Sequence, residues 1–392
     1  MKGTETPILA VINREIELIR KNPAYRFLLF AGPLVGIMLL FFIFRQGTVK
    51  ELPIGVVDVD NSNLSQKITN MLNASSDVQV VLKTPNLFRA KEMLEKGEIE
   101  AIICIPRETE KSVFRGTEAQ IPVYINGTNV SKAGIVQRSV LTTLKTVSGG
   151  IQLKKLALSG KNKEQAVARI VPVNIQKHVL FNPYTNYNYF LNSAMMFVML
   201  YLFVFLSSIY TLGNELKHGT GAQLLVVSNN SIRVAVTGKL LPYSIIFSGF
   251  AMFVNFLLYE VEGLPLNGNF TIIFLGQLIT ILTYQLMGLI FVGATSSLRL
   301  ALSLGSAYSM MGITFSGLTF PLEGMPKIAQ IFATLFPFTW WEKLLISQSL
   351  RGAPAKQAIL YISYILVFQL VAFCFMNTYK RHLRNPAFWG KS

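Results

Sequence analysis

Residues able to do acid, nucleophilic or metal chemistry are few in this chain and poorly arranged for it. His178, His218 and His382 stand far apart with no ligand companions at useful spacing, so each reads as an ordinary polar residue. Cys104 lies in a strand-like run and Cys374 in a hydrophobic one, and neither a structural disulfide nor a zinc site follows from them. The phosphate-binding patterns GxxxxGKS and GxxxxGKT are absent, as are HExxH and GxSxG, which leaves ATP binding by the Walker route and two hydrolase chemistries without residues. We therefore expect no enzyme activity and no cofactor in this chain.

Carboxylates within a membrane would be expensive and would mark an ion-coupling site. Glu260, Glu262 and Glu323 instead fall at or beyond the ends of apolar runs, which disfavours a proton-driven pump. Asn192, Asn255, Gln277, Gln285 and Gln369 lie within such runs and read as helix-to-helix hydrogen bonds.

The elements that must position these residues are set by hydropathy. Apolar residues make up 51% of the 392 and charged ones only 14%, against roughly 25% in an ordinary soluble domain. Runs of about 18 or more apolar residues are long enough to cross a hydrocarbon core of about 30 Å. Six such runs are expected: Phe27 to Phe44, then 190 to 212, 240 to 259, 270 to 296, 300 to 320 and 356 to 378. Pro33 should kink the first. Ahead of it, residues 6 to 22 place Ile8, Val11, Ile12, Ile16 and Ile19 on one helical face, and Asn13, Arg14, Glu17, Arg20 and Lys21 on the other. That pattern predicts an amphipathic helix on the membrane surface, followed by a retained anchor and not a cleaved signal peptide.

Between the first span and the rest, hydrophobicity collapses. LPIGVVDVD (52 to 60), VQVVLKT (78 to 84), IEAIICIP (99 to 106) and AQIPVYIN (119 to 126) read as strands, separated by polar helix-periodic segments. A long helix from Val130 to Ser159 and a last strand from Val171 to Leu180 complete an α/β domain with a small mixed or parallel sheet. The expected division is a surface helix (1 to 25), a first span (26 to 45), an inserted α/β domain (46 to 189), a five-helix membrane domain (190 to 378) and a basic tail (379 to 392).

Lys and Arg in the short segments number thirteen on one side of the membrane and five on the other, which places both termini in the cytoplasm and the α/β domain outside it. The net charge of +16 is thus mainly topology; no basic stripe or motif points to nucleic acid.

Two long loops carry the remaining signal. Residues 213 to 239 run from a Gly-Thr step through a short apolar run to basic residues, which suits a short helix meeting a cytoplasmic partner. Residues 321 to 355 are too apolar for a free loop and are broken by Pro321, Pro326 and Pro337, which suits a re-entrant hairpin. Trp340 and Trp341 read as interface anchors.

At these residues the chain resembles the permease subunit of type 2 ABC exporters, in the long-form branch with a large domain after the first span. The matching pattern is Glu215 four positions before Gly219-Thr220, then Leu224-Leu225, then Gly238 to Tyr243. It continues with Ser316-Gly317, Phe320-Pro321, Met325-Pro326, Pro337, Thr339 and Leu350-Arg351-Gly352. Lys217 and Ala222 stand where relatives often carry acids. The resemblance implies a bacterial inner-membrane exporter built from two permease chains, identical or different, and two cytoplasmic ABC ATPase subunits. Glu215, Gly219, Thr220, Leu224 and Leu225 would then form the ATPase coupling loop, and Pro321, Pro326, Pro337, Thr339, Trp340 and Trp341 the outer hairpin. Membrane lipid is a further partner, and the outer domain leaves room for a periplasmic one. The rival reading is a membrane receptor of the phage-infection type, with no ATPase.

Overall fold

The computed structural model describes residues 6–115, 117–158, 180–182 and 186–390. The chain divides into two compact units, Met1–Gly47 with Val179–Ser392, and Thr48–His178.

The first unit is helical. α1 (Pro7–Lys21) is followed by α2 (Pro23–Phe44), α7 (Asn188–Lys217), α8 (Gly221–Val227), α9 (Ile232–Val261), α10 (Phe270–Thr295), α11 (Leu298–Phe315), α12 (Lys327–Ala333), α13 (Pro337–Leu345) and α14 (Ala355–Arg384). Five of these, α2, α7, α9, α10 and α14, are long and apolar enough to cross a membrane. The chain is a helical membrane protein. α11, expected over 300 to 320, has 18 residues and carries Arg299 in its first turn, so at about 27 Å it is shorter than the roughly 30 Å core. It begins beside Gly213, near the end of α7, and finishes with Phe315 packed on Phe332 and Phe336 of the hairpin.

The spans adhere through small residues and amide pairs, because in lipid no hydrophobic force draws one apolar helix to another. A Cβ on Gly288 would sit 2.9 Å from the Ser208 Cβ, so α10 and α7 cross closely there. Asn255 and Gln277 exchange two hydrogen bonds of 2.8 Å between α9 and α10, Ser244 donates to Gln285 at 2.7 Å, and Gln369 donates to Thr283 at 3.0 Å. These are the helix-to-helix bonds expected from the sequence. After its first turn, Pro23–Arg26, α2 passes through a π-helical stretch, Phe27–Ala31, in which the Gly32 N–H reaches back to the Phe27 carbonyl.

The second unit contains β1 (Leu52–Asp58), α3 (Asn63–Asn73), β2 (Val78–Thr84), α4 (Leu87–Glu95), β3 (Ala101–Ile105), α5 (Thr109–Arg115), β4 (Val123–Ile125) and α6 (Val130–Leu158). The sheet order is β2-β1-β3-β4, with β1 parallel to both neighbours and β4 antiparallel to β3, a mixed sheet. β1 is buried along nearly its whole length, as a central parallel strand must be, whereas β2 at the edge alternates. Leu52, Ile54 and Val56 face one core with Leu64, Ile68 and Val140, and Val57 faces the other with Leu82 and Ala90. The strand expected over 119 to 126 shortens to three residues, because only Ile103, Ile102 and Ala101 offer it a ladder. The strand expected from Val171 to Leu180, and His178 with it, lie outside the described residues apart from Leu180.

Candidate functional site

Two acids and two bases from three helices meet at one end of the helical unit. On α1, Val11, Glu15 and Ile19 are spaced four apart and buried on the same stripe, so Glu15 sits in the middle of an apolar face. Thr211 and Glu215 share a face of α7 at the same spacing, as do Lys239 and Tyr243 on α9. Glu15 and Lys239 are wholly buried and Glu215 nearly so, while Arg14 is about one-fifth exposed.

Every carboxylate oxygen in this cluster is occupied. Glu15 Oε1 accepts from Thr211 at 2.5 Å and from the Tyr243 hydroxyl at 2.6 Å, and its Oε2 accepts from Lys239 at 2.5 Å. Glu215 Oε1 accepts from Arg14 at 2.6 Å and Lys239 at 2.7 Å. Glu215 Oε2 accepts from Arg14 at 3.0 Å and Thr220 at 2.6 Å. Two negative and two positive charges balance. Burying them would cost several kcal/mol per ion in isolation, and only such complete pairing makes the arrangement tolerable. Burial works against the Arg14 guanidinium, but its bonds to Glu215 more than offset this and raise its pKa. Lys239 bridges the two carboxylates, so α1 is tied to both spans through one ammonium group.

The loop after α7 is built onto this cluster. Gly219 has φ +65°, a left-handed conformation that turns the chain so that the Thr220 N–H bonds the Glu215 carbonyl while its hydroxyl reaches the Glu215 carboxylate. Leu224 and Leu225 are buried in the helical core, and the exposed side of α8 is formed by Ala222, Gln223 and Val226. The end of the chain closes over the loop. Trp389 lies against Gly219, Lys380 donates to the Asn230 carbonyl at 2.7 Å, and Arg384 donates to the Asn230 side chain at 2.7 Å.

The hairpin residues gather at the other end. Pro321 precedes a short 3-10 turn, Pro326 caps α12, and Pro337 opens α13. The Thr339 hydroxyl donates to the Ala333 carbonyl at 2.8 Å and closes the turn between the two helices. The two tryptophans part. Trp340 is partly exposed and stacks on Tyr364 with ring centres 4.1 Å apart, whereas Trp341 is fully buried, edge-on to Phe197 and Tyr201. Trp341 is a packing residue of the helical core and not a surface anchor.

Sequence reasoning missed Glu15, Lys239 and Glu342. The first had a usable signal, an acid interrupting an otherwise apolar helical stripe. Lys239 stands inside the Gly238 to Tyr243 motif, where it received no role, and Glu342, 4% exposed, sits next to Trp341 in the hairpin. Among the described residues no group of His, Cys, Asp and Glu could hold a metal ion.

The site therefore belongs to a multi-span helical membrane protein whose first helix is held to two of its spans by a fully paired ion cluster. The sequence pattern of the ABC-2 family transporter proteins matches residues 23–376, and the chain belongs to that family. It is 24% identical over 383 residues to the linearmycin resistance permease protein LnrN of Bacillus subtilis (strain 168), covering 93% of this chain and 97% of the relative. It is also 24% identical over 317 residues to the inner membrane transport permease YhhJ of Escherichia coli (strain K12), covering 78% of this chain and 79% of that one.

Proposed function

We propose that this chain is the permease subunit of an ATP-driven exporter in the bacterial inner membrane, working with separate cytoplasmic ABC ATPase subunits and a second permease chain. The observation that carries the reading is the Arg14–Glu215–Lys239–Glu15 cluster, which makes α1 and the start of α8 move with the ends of α7 and α9. An ATPase that pushes on α8 then acts on two spans at once, the kind of packed two-state coupling that transport requires. Both termini are cytoplasmic in this reading, α11 is the sixth span, and residues 46 to 189 form the extracytoplasmic domain. The course of α11 from the Gly213 end to the hairpin end supports that span count, because it lets the chain alternate sides. A relative named for linearmycin resistance supports outward transport.

The docking contact falls on the exposed side of α8, where Val226 is 80% exposed. Purifying the full chain from native membranes should bring down an ATPase whose hydrolysis depends on it. Val226→Arg should abolish that dependence while leaving insertion and thermal stability unchanged. Purification with no ATPase, or full stimulation by the variant, would refute the proposal.

A further inference from the structure

The end of α9 farthest from Lys239 forms a groove of about 290 Å³. Twenty-one residues separate Lys239 from Glu260, about 32 Å along the helix, so the groove lies at the opposite membrane boundary from the ion cluster. We propose that this groove binds the ammonium headgroup of a membrane aminophospholipid, with Glu260 as its counter-ion. Nothing in this assignment depends on an ATPase partner.

The last stretch of α9, Phe256–Val261, is π-helical, a local widening often found at functional sites, and it brings Phe256, Tyr259 and Glu260 onto the groove. Phe270 from the start of α10 forms the facing wall, edge-on to Tyr259 with ring centres 6.0 Å apart. Asn255 also lines the groove, held by its paired bonds to Gln277.

Charge selects the occupant. In a chain with 36 Lys and Arg against 20 Asp and Glu, the stretch between Lys239 and Arg299 has no basic residue, and its only acids are Glu260 and Glu262 at this end. Glu260 is exposed and has no ion-pair partner among the described residues. The Tyr259 ring, packed edge-on with Phe270, lines the groove beside Glu260. Aromatic faces attract a cation further. No basic residue lines the groove to hold an anionic headgroup.

Size and position select a lipid over a soluble amine. The volume lies at the bottom of the roughly 300–1,000 Å³ range of small-molecule pockets, enough for a headgroup with its chains left outside. Met252 and Phe256, 45% and 54% exposed, continue the groove along the span toward the bilayer interior, where acyl chains would lie.

The test uses the purified full chain, stripped of lipid and titrated with phosphatidylethanolamine, phosphatidylcholine and phosphatidylglycerol of identical chains, with retention read by native mass spectrometry. Phosphatidylethanolamine should be preferred over phosphatidylglycerol by about tenfold, the scale of a cation–π contact plus an exposed ion pair. Glu260→Gln should cut that preference several-fold, because the ion pair is lost and only the aromatic contact remains. Equal retention of all three lipids, or an unchanged preference in Glu260→Gln, overturns the proposal. So does disulfide trapping of Phe256→Cys between two copies in a Cys104→Ala, Cys374→Ala background, which would give the groove to a second chain.

Discussion

Arg14 and Glu215 form a two-pronged ion pair, 2.6 and 3.0 Å between nitrogens and oxygens, across 201 residues of chain. The planar guanidinium matches the carboxylate in a way an ammonium cannot, so the pair fixes the angle of α1 as well as its distance. Lys239 then connects the same carboxylate to Glu15 on α1's buried stripe. α1 is held at two adjacent residues with different geometry, and it can neither roll nor slide without breaking these bonds.

Removing Lys239 should therefore be the most damaging single change in the cluster. Lys239→Met leaves Glu15 and Glu215 buried with one base between them, and breaking a buried pair in this way costs about 3–5 kcal/mol. Arg14→Ala, at the partly exposed edge, should cost less, about 1.5–3 kcal/mol. Adding Glu15→Gln to Lys239→Met should recover part of the loss, because the orphaned charge goes with it. Unfolding of the purified variants in detergent measures all three, and simple additivity in the double variant would show that the bridge is not a unit.

The loop glycines should separate by what their Cβ would strike. Ala at Gly219 must adopt φ +65° and approaches only the Trp389 ring, 3.2 Å away, for a cost of about 1 kcal/mol. At Gly221 the Cβ would lie 2.9–3.0 Å from Leu383 backbone atoms, which cannot swing aside, so Gly221→Ala should cost more, about 1–3 kcal/mol. The same unfolding assay ranks them; a larger effect at Gly219 would mean that the terminal segment does not pack on this loop as described.

Trp341→Ala empties a fully buried site against Phe197 and Tyr201 and should cost about 3–5 kcal/mol. Trp340→Ala loses one stacked pair with Tyr364 at the surface and should cost about 0.5–1.5 kcal/mol. Intrinsic fluorescence offers a second reading. Of the three tryptophans, Trp341 should give the blue-shifted emission, and Trp341→Phe should remove it.

What the sequence revealed and what it hid follow from range. Five of the six expected spans, the β1 to β3 strands and the amphipathic α1 are local patterns, and they emerged nearly in place, whereas β4 keeps only Val123–Ile125. Glu215, Gly219 and Thr220 were visible as a spaced motif. The cluster was not, because Glu15, Thr211 and Lys239 are separated by up to 224 residues and only packing brings them together. The two adjacent tryptophans look alike in sequence, yet neighbouring helical residues point about 100° apart, so one enters the core and the other does not. The span expected over 300 to 320 is the one that falls short, for a compositional reason: Arg299 and the serines of α11 interrupt its apolar run.

The side of the membrane occupied by the inserted unit can be read with thiol chemistry, and the native cysteines determine how. Cys104 is half-buried and burial raises its thiol pKa, so at neutral pH it carries less of the reactive thiolate than an ordinary cysteine. Val130 is 84% exposed at the start of α6. In a Cys374→Ala background, Val130→Cys should react with a membrane-impermeant maleimide added to intact cells, much faster than Cys104 at pH 7. The gap should close as pH rises, because the raised thiol reaches its thiolate form later. Labelling only after the membrane is opened would put the inserted unit in the cytoplasm and reverse the orientation drawn from the Lys and Arg distribution.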